Sequence, residues 1–250
     1  MLELSAILVI AATFLLAGAV KGVVGLGLPT ISLALLTVAF DLNTAMVLAL
    51  APSLVTNIWQ AIAGGGLSLV WARTWPFLIA ATLSVWLGTV VAARVPTQAL
   101  VALLGGLLVV YAVSGLTRAP VRISRRLERW LGLLCGIANG VFTGMTGSFV
   151  VPGVMYLQAI GLSRDLLVQA MGVLFTLSTL ALAVALQRNA ILTVELSFIS
   201  TAAVIPAALG MIAGQGLRKK LSDKNFRRIF FFAIFVLGAY VLFAPLLPAD

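Results

Sequence analysis

Histidine is absent from this chain of 250 residues, cysteine occurs once, and aspartate and glutamate together number only 7. Without histidine, the commonest metal ligand and the side chain that best exchanges protons near neutrality are both missing. The lone Cys135 lies in an apolar run, so no internal disulfide can form and the redox compartment stays open. No acidic pair, metal-ligand cluster or serine with an evident base stands out, so neither an enzyme nor a metal or cofactor is expected. Charge is scarce as well. Only 9% of residues are charged, against roughly a quarter in soluble domains. With 62% hydrophobic residues and a mean hydropathy of +1.18, the composition excludes an ordinary soluble domain and points to an integral membrane protein.

What is present is a series of long uncharged runs, over 42–70, 74–93, 95–117, 166–187 and 229–247. Each can supply the roughly twenty residues that a transmembrane helix needs, and none shows the ten-residue alternation of a β-barrel. Ala17-Gly18-Ala19 would suit signal cleavage, but Glu3 precedes it without a cation, so a removed leader is not expected. The net charge of +9 is concentrated. Arg118, Arg122, Arg125, Arg126 and Arg129 form one cluster; Arg218, Lys219, Lys220, Lys224, Arg227 and Arg228 form the other. Each separates two apolar segments, which reads as cytoplasmic loops beside anionic lipid rather than as a nucleic-acid surface.

The two halves echo each other. "GAVKGVVGLGLP" at 18–29 parallels "GIANGVFTGMTGSFVVP" at 136–152, matching Gly18 with Gly136, Lys21 with Asn139, Gly22 with Gly140 and Pro29 with Pro152. Likewise "AATLSVWLGTVVA" at 80–92 parallels "TAAVIPAALGMIAG" at 201–214. Both basic loops fall on one side only if each half makes an odd number of full crossings, which inverts the second half relative to the first. The expected fold is therefore an all-α integral membrane protein of two inverted repeats, 1–120 and 121–250. Each would be a broken helix pair or re-entrant hairpin followed by three transmembrane helices. Both termini would face the periplasm, and Trp71, Trp75 and Trp130 would mark the cytoplasmic interface.

Glycine and proline at the two breaks would free backbone groups that lipid cannot satisfy, so the breaks need protein or a wet cavity around them. Residues 22–28 and 140–151 are expected to be non-helical and to face each other near the centre. Both arms of the first run are short enough to turn back there. Lys21 places a cation beside one break. Either it binds an anion with the help of helix-start N–H groups, or it snorkels to an interface. The glycines have two readings as well: a substrate site, or close helix packing of the small-xxx-small kind. Thr56, Asn57, Thr176 and Ser178 could offer donors, although such hydroxyls often bond their own backbone. Asp41 reads as a solvated turn residue and Glu195 as an interfacial one.

The paired Gly-rich breaks, Thr56-Asn57 after "LALAPSLV", and "GVFTGMTGSFVVPGVMYLQAIGL" resemble the sulfite exporter TauE/SafE family over nearly the whole chain. The resemblance implies a multi-pass transporter of the cell inner membrane that exports sulfite, an organosulfonate or another small sulfur oxyanion. Mechanistically it suggests alternating access around a midplane site. The candidate binding residues are Lys21, Gly22, Gly25, Gly27, Thr56, Asn57, Asn139, Gly140, Thr143, Gly144, Thr146, Gly147 and Ser148. Export also follows from a negative interior, which drives anions outward, and from the scarcity of membrane carboxylates for coupling ions. The alternative is an anion channel or a scaffold subunit of a membrane complex. Expected partners are the small anion and the lipid bilayer, with no nucleic acid; a homodimer is allowed.

Overall fold

The computed structural model describes residues 3–117, 122–218 and 223–246, and among them there are helices and no strands. The helices are α1 (Leu4–Val24), α2 (Leu28–Ala39), α3 (Leu42–Ile62), α4 (Leu67–Ala92), α5 (Thr97–Thr117), α6 (Glu128–Thr146), α7 (Gly153–Ala159), α8 (Arg164–Arg188), α9 (Val194–Ala202), α10 (Val204–Arg218) and α11 (Asp223–Phe243). Seven segments among the described residues are long and apolar enough to cross a membrane, α9 and α10 together forming one of them. This is an all-α, multi-pass membrane protein. Parts of both basic loops, 118–121 and 219–222, lie outside the described residues, so the expected placement of those loops is not read from the helices.

The two breaks are shorter than expected. Gly25 takes a φ of 81° and its N–H bonds Lys21 O at 2.7 Å, ending α1; Pro29 sits in the first turn of α2. Gly147 repeats the device with φ 74° and an N–H bond of 2.7 Å to Thr143 O, ending α6. Only 25–27 and 147–152 separate the paired helices. Gly22, Gly140 and Gly144, expected to lie in the breaks, are helical because a membrane helix that keeps its backbone bonded loses nothing to lipid. The arms differ too. At 21 and 19 residues, α1 and α6 are about 31 and 28 Å long, near full-span length, and only α2 and α7 are short.

The missing side chains of those glycines are what close helix packing requires. A Cβ on Gly18 or Gly22 would stand 2.2 Å from Ala207 O or Met211 O of α10. From the other side, Cβ atoms on Gly210 and Gly214 would stand 2.1 and 2.0 Å from Leu15 O and Ala19 O of α1. The same construction joins α6 to α4, where Cβ atoms on Gly136, Gly140 and Gly144 would meet the carbonyls of Phe77, Ala81 and Val85. Small residues let two backbones touch where lipid supplies no hydrophobic drive between helices. The remaining large pairings are α5 on α11, α3 on α8 and α4 on α8.

Helix α3 crosses this frame carrying Pro52, which cannot donate to Leu48 O. Ser200 of α9 fills the gap: its hydroxyl donates to Leu48 O at 3.0 Å and accepts from Ala51 N–H at 3.1 Å. At the far end of α3, Gln60 Nε2 donates to Val168 O and Gln169 Nε2 to Ala61 O, each at 2.7 Å, which fixes α3 against the start of α8. Gln169 Oε1 also accepts from Gly66 N–H at 2.9 Å, holding the α3–α4 turn. Trp71, Trp75 and Trp130 are exposed in the early turns of α4 and α6.

Candidate functional site

Lys21 lies on α1 one turn before the Gly25 cap and is only 4% exposed. Its Nζ donates to Thr56 Oγ1 at 3.0 Å and to Asn57 Oδ1, both on α3. Thr56 passes its own proton back to Pro52 O at 2.7 Å, so its oxygen is turned toward the lysine as an acceptor. Among the described residues no carboxylate comes within ion-pair distance of Lys21, and Asn57 Nδ2, fully buried, finds no acceptor. An ammonium has three N–H donors. Two are used here, so one of them and the Asn57 amide are left over.

This lysine forms part of the wall of a cavity of about 1000 Å³. Gly22, Gly25 and Thr56 share that wall with it. Ala63 and Gly64 at the end of α3, Arg164 and Asp165 at the start of α8, and Gln215 near the end of α10 extend it toward the helix ends. The cavity is therefore a basin between helix termini, with Lys21 buried in its wall.

The second break is built differently. Asn139 is fully buried; its Oδ1 accepts from Gly153 N–H at 2.9 Å, capping the return arm α7, and its Nδ2 has no partner among the described residues. Thr143 donates to Asn139 O at 2.8 Å and Ser148 O at 3.1 Å, and Thr146 donates to Phe142 O while accepting from Ser148 N–H. These contacts hold the break in shape. Gly147 lines a second, water-sized void of about 10 Å³ with Pro29, Phe149 and Thr179.

Of the candidate residues, Lys21, Gly22, Gly25 and Thr56 line the basin, and Asn57, which does not, is bonded to Lys21. Asn139, Gly140, Thr143, Gly144, Thr146, Gly147 and Ser148 do not line it, and Gly27 packs under the Phe230 ring. Lys21 and the second break therefore lie at different levels. Lys21 bonds α3 at Asn57, whereas a Cβ on Gly147 would strike Met46, about three turns or roughly 16 Å away along the same helix. The two breaks meet at the small void, which Pro29 and Gly147 both line.

The family model described as sulfite exporter TauE/SafE matches residues 10–241. The chain belongs to that family. No curated protein and no solved structure matches it. As a member of the TauE/SafE transporters it is a membrane transporter, and the Lys21 basin is the candidate site of that transport.

Several structural roles in this TauE/SafE protein escaped sequence reasoning. Arg73 of α4 grips Glu128 of α6 with two bonds, of 3.1 and 2.7 Å, and also donates to Ile160 O past the end of α7. Tyr156 OH donates to Glu128 O at 3.0 Å. One ion pair thus ties the start of α6 to the end of its return arm. The signal available was a glutamate opening an apolar segment just after an arginine-rich loop. Asp41 does more than sit in solvent, since its carboxylate caps α3 through Thr44 N–H at 3.0 Å. Glu195 is exposed in the first turn of α9.

Proposed function

We propose that this protein exports sulfite, an organosulfonate or another small sulfur oxyanion across the cell inner membrane by alternating access, with the Lys21 basin as its substrate site. One observation carries the reading: a buried lysine with two neutral hydrogen-bond partners and no carboxylate. Burying an ammonium without a counter-ion costs several kcal/mol, and a chain tolerates this where a ligand completes the site. The spare ammonium N–H then meets an oxygen of a small oxyanion in the basin. That contact does not by itself discriminate among sulfur oxyanions. The interior-negative potential, worth about 2.3 kcal/mol per charge per 100 mV, favours the outward direction.

The packing supports an inverted repeat. Matching α1 with α6, α3 with α8, α4 with α9 and α10, and α5 with α11 exchanges the α1–α10 pair with the α6–α4 pair. The same match carries α3–α8 and α5–α11 onto themselves. The basin reaches toward one set of helix ends, and a water-sized void lies between the helices in the opposite direction. That asymmetry suits one end state of an alternating-access cycle.

The test compares sulfite and thiosulfate binding, by thermal shift, with their uptake into proteoliposomes. Lys21→Gln is expected to lose about tenfold to a hundredfold in affinity, since a charged hydrogen bond is worth roughly 1.5–3 kcal/mol. Asn57→Asp places a carboxylate against Lys21 and should abolish anion binding while the protein melts no lower than wild type. Unchanged transport in Lys21→Gln refutes the site. Ohmic current in place of saturable flux would make the protein a channel.

A further inference from the structure

In this chain many helical hydroxyls bond a carbonyl one turn back: Thr56 on Pro52, Thr74 on Val70, Thr143 on Asn139 and Thr176 on Gly172. Ser53 and Thr179 do not. Among the described residues both hydroxyls lack any partner, as does Asn57 Nδ2, and the three residues are each at most 1% exposed. A buried polar group left unpaired is costly, and natural chains keep few of them. Three in one place ask for a ligand.

They are in one place because of how α3 and α8 pack. Gln60 and Ala61 meet Val168 and Gln169 through two side-chain hydrogen bonds, and a Cβ on Gly172 would stand 2.6 Å from Ala61 N. Further along, Ala49 and Leu50 of α3 line the small void with Thr179 and Leu182 of α8. The helices are thus antiparallel, in a register that brings Thr179 to Ala49 and Leu50, about one turn from Ser53. Asn57 and Ser53 are four residues apart and share a face of α3. A line of unpaired groups therefore leads from Asn57, where Lys21 is bonded, to Ser53 and Thr179, and ends at the void between the two breaks.

We propose that this α3–α8 seam is a second, uncharged subsite for the transported oxyanion, occupied after it leaves Lys21. The inference rests on the transporter reading above. Asn57 Oδ1 is already taken by Lys21, so its amide offers only N–H groups to the seam, and the two hydroxyls can turn their protons toward anionic oxygens. The void is about the size of one water, too small for an oxyanion, so the seam opens only when α3 and α8 part. A neutral position beyond a charged one lets the anion be held without being trapped.

The experiment measures equilibrium binding and proteoliposome flux of sulfite and thiosulfate for wild type, Ser53→Ala, Thr179→Val and Thr179→Ser. Ser53→Ala and Thr179→Val should bind within twofold of wild type and lose about tenfold in flux, while Thr179→Ser, which keeps the hydroxyl, should retain most of it. Unchanged flux in both truncations overturns the subsite. So does an equal loss in Thr179→Val and Thr179→Ser, which would make the residue a packing element. Loss of binding together with flux would fold these groups into the Lys21 site and also overturn a separate position. If wild-type protein neither binds nor moves either anion, the transporter reading falls first and the subsite with it.

Discussion

Gly140→Ala adds one methyl group at the α4–α6 contact, and its consequence can be worked from distances. The new Cβ would lie 2.2 Å from Ala81 O and 2.8 Å from Ser84 Cβ, where ordinary contact begins at 3.4 Å. Both neighbours belong to a helix held along its length, so α6 must withdraw by roughly 1 Å, and overpacking of this kind costs about 1–3 kcal/mol. Alanine recovers part of that, since glycine in a helix interior is roughly 0.8–1.0 kcal/mol less favourable. The net loss is about 0–2 kcal/mol against wild type, up to roughly 8 °C in melting temperature for a chain of this size, and about 1–3 kcal/mol against a Gly→Ala change that meets no neighbour. Gly106→Ala and Gly216→Ala, where nothing lies within 4 Å of the added atom, serve as controls and should melt at or slightly above wild type. The assay is thermal unfolding of the detergent-solubilised protein, with anion affinity measured on the folded fraction. A Gly140→Ala protein that melts like its controls would refute the packing argument. Retained stability with selective loss of anion binding would return the glycine to the substrate site.

Removing one partner of the Arg73–Glu128 pair, whose side chains are 18% and 9% exposed, should be costly because it strands a half-buried charge. Glu128→Gln is expected to lose about 2–4 kcal/mol, less if water reaches Arg73, and an Arg73→Met, Glu128→Met double variant should recover part of it in the same melts. Ser200→Ala strips both Leu48 O and Ala51 N–H of their partner at the Pro52 site and should lower stability by about 1–3 kcal/mol, read by denaturant or thermal titration. In a Cys135→Ala background, Ser124→Cys should resist impermeant thiol reagents added outside the cell, and ready labelling there would overturn the cytoplasmic placement of the first basic loop.

Fold class was legible because membrane burial writes itself into composition. Runs without charge became helices, and the paired Gly-rich stretches became the places where α1 and α6 end. The extent of each break was not legible. Gly22, Gly25 and Gly27 look alike in sequence, yet only the last two take positive φ, at 81° and 108°. Which glycine breaks a helix depends on its neighbour across the interface. Gly22 has Met211 O against it and stays helical, whereas Gly25 has open space around it. That neighbour sits nearly two hundred residues away, in α10.

The site divides along the same line. Lys21 announced itself, since a cation in an apolar run has few explanations, and Thr56-Asn57 is its hydrogen-bonding pair. The residues of the second break lie away from the basin for a geometric reason. Lys21 stands four residues before its cap at Gly25, whereas its counterpart Asn139 stands eight before Gly147. Those extra residues add about one turn to α6 and carry the second break away from Asn139, up to Met46 near the start of α3. Asn139 then spends its oxygen on Gly153 N–H, holding the seven-residue return arm α7, which is too short to hold itself. The longer arm α2 needs no such clasp, so the equivalent position in the first half is released to carry a lysine. Lys21 and Asn139 hold matching places in two similar stretches of sequence, and the difference in arm length goes with one serving as a structural clasp while the other faces the basin.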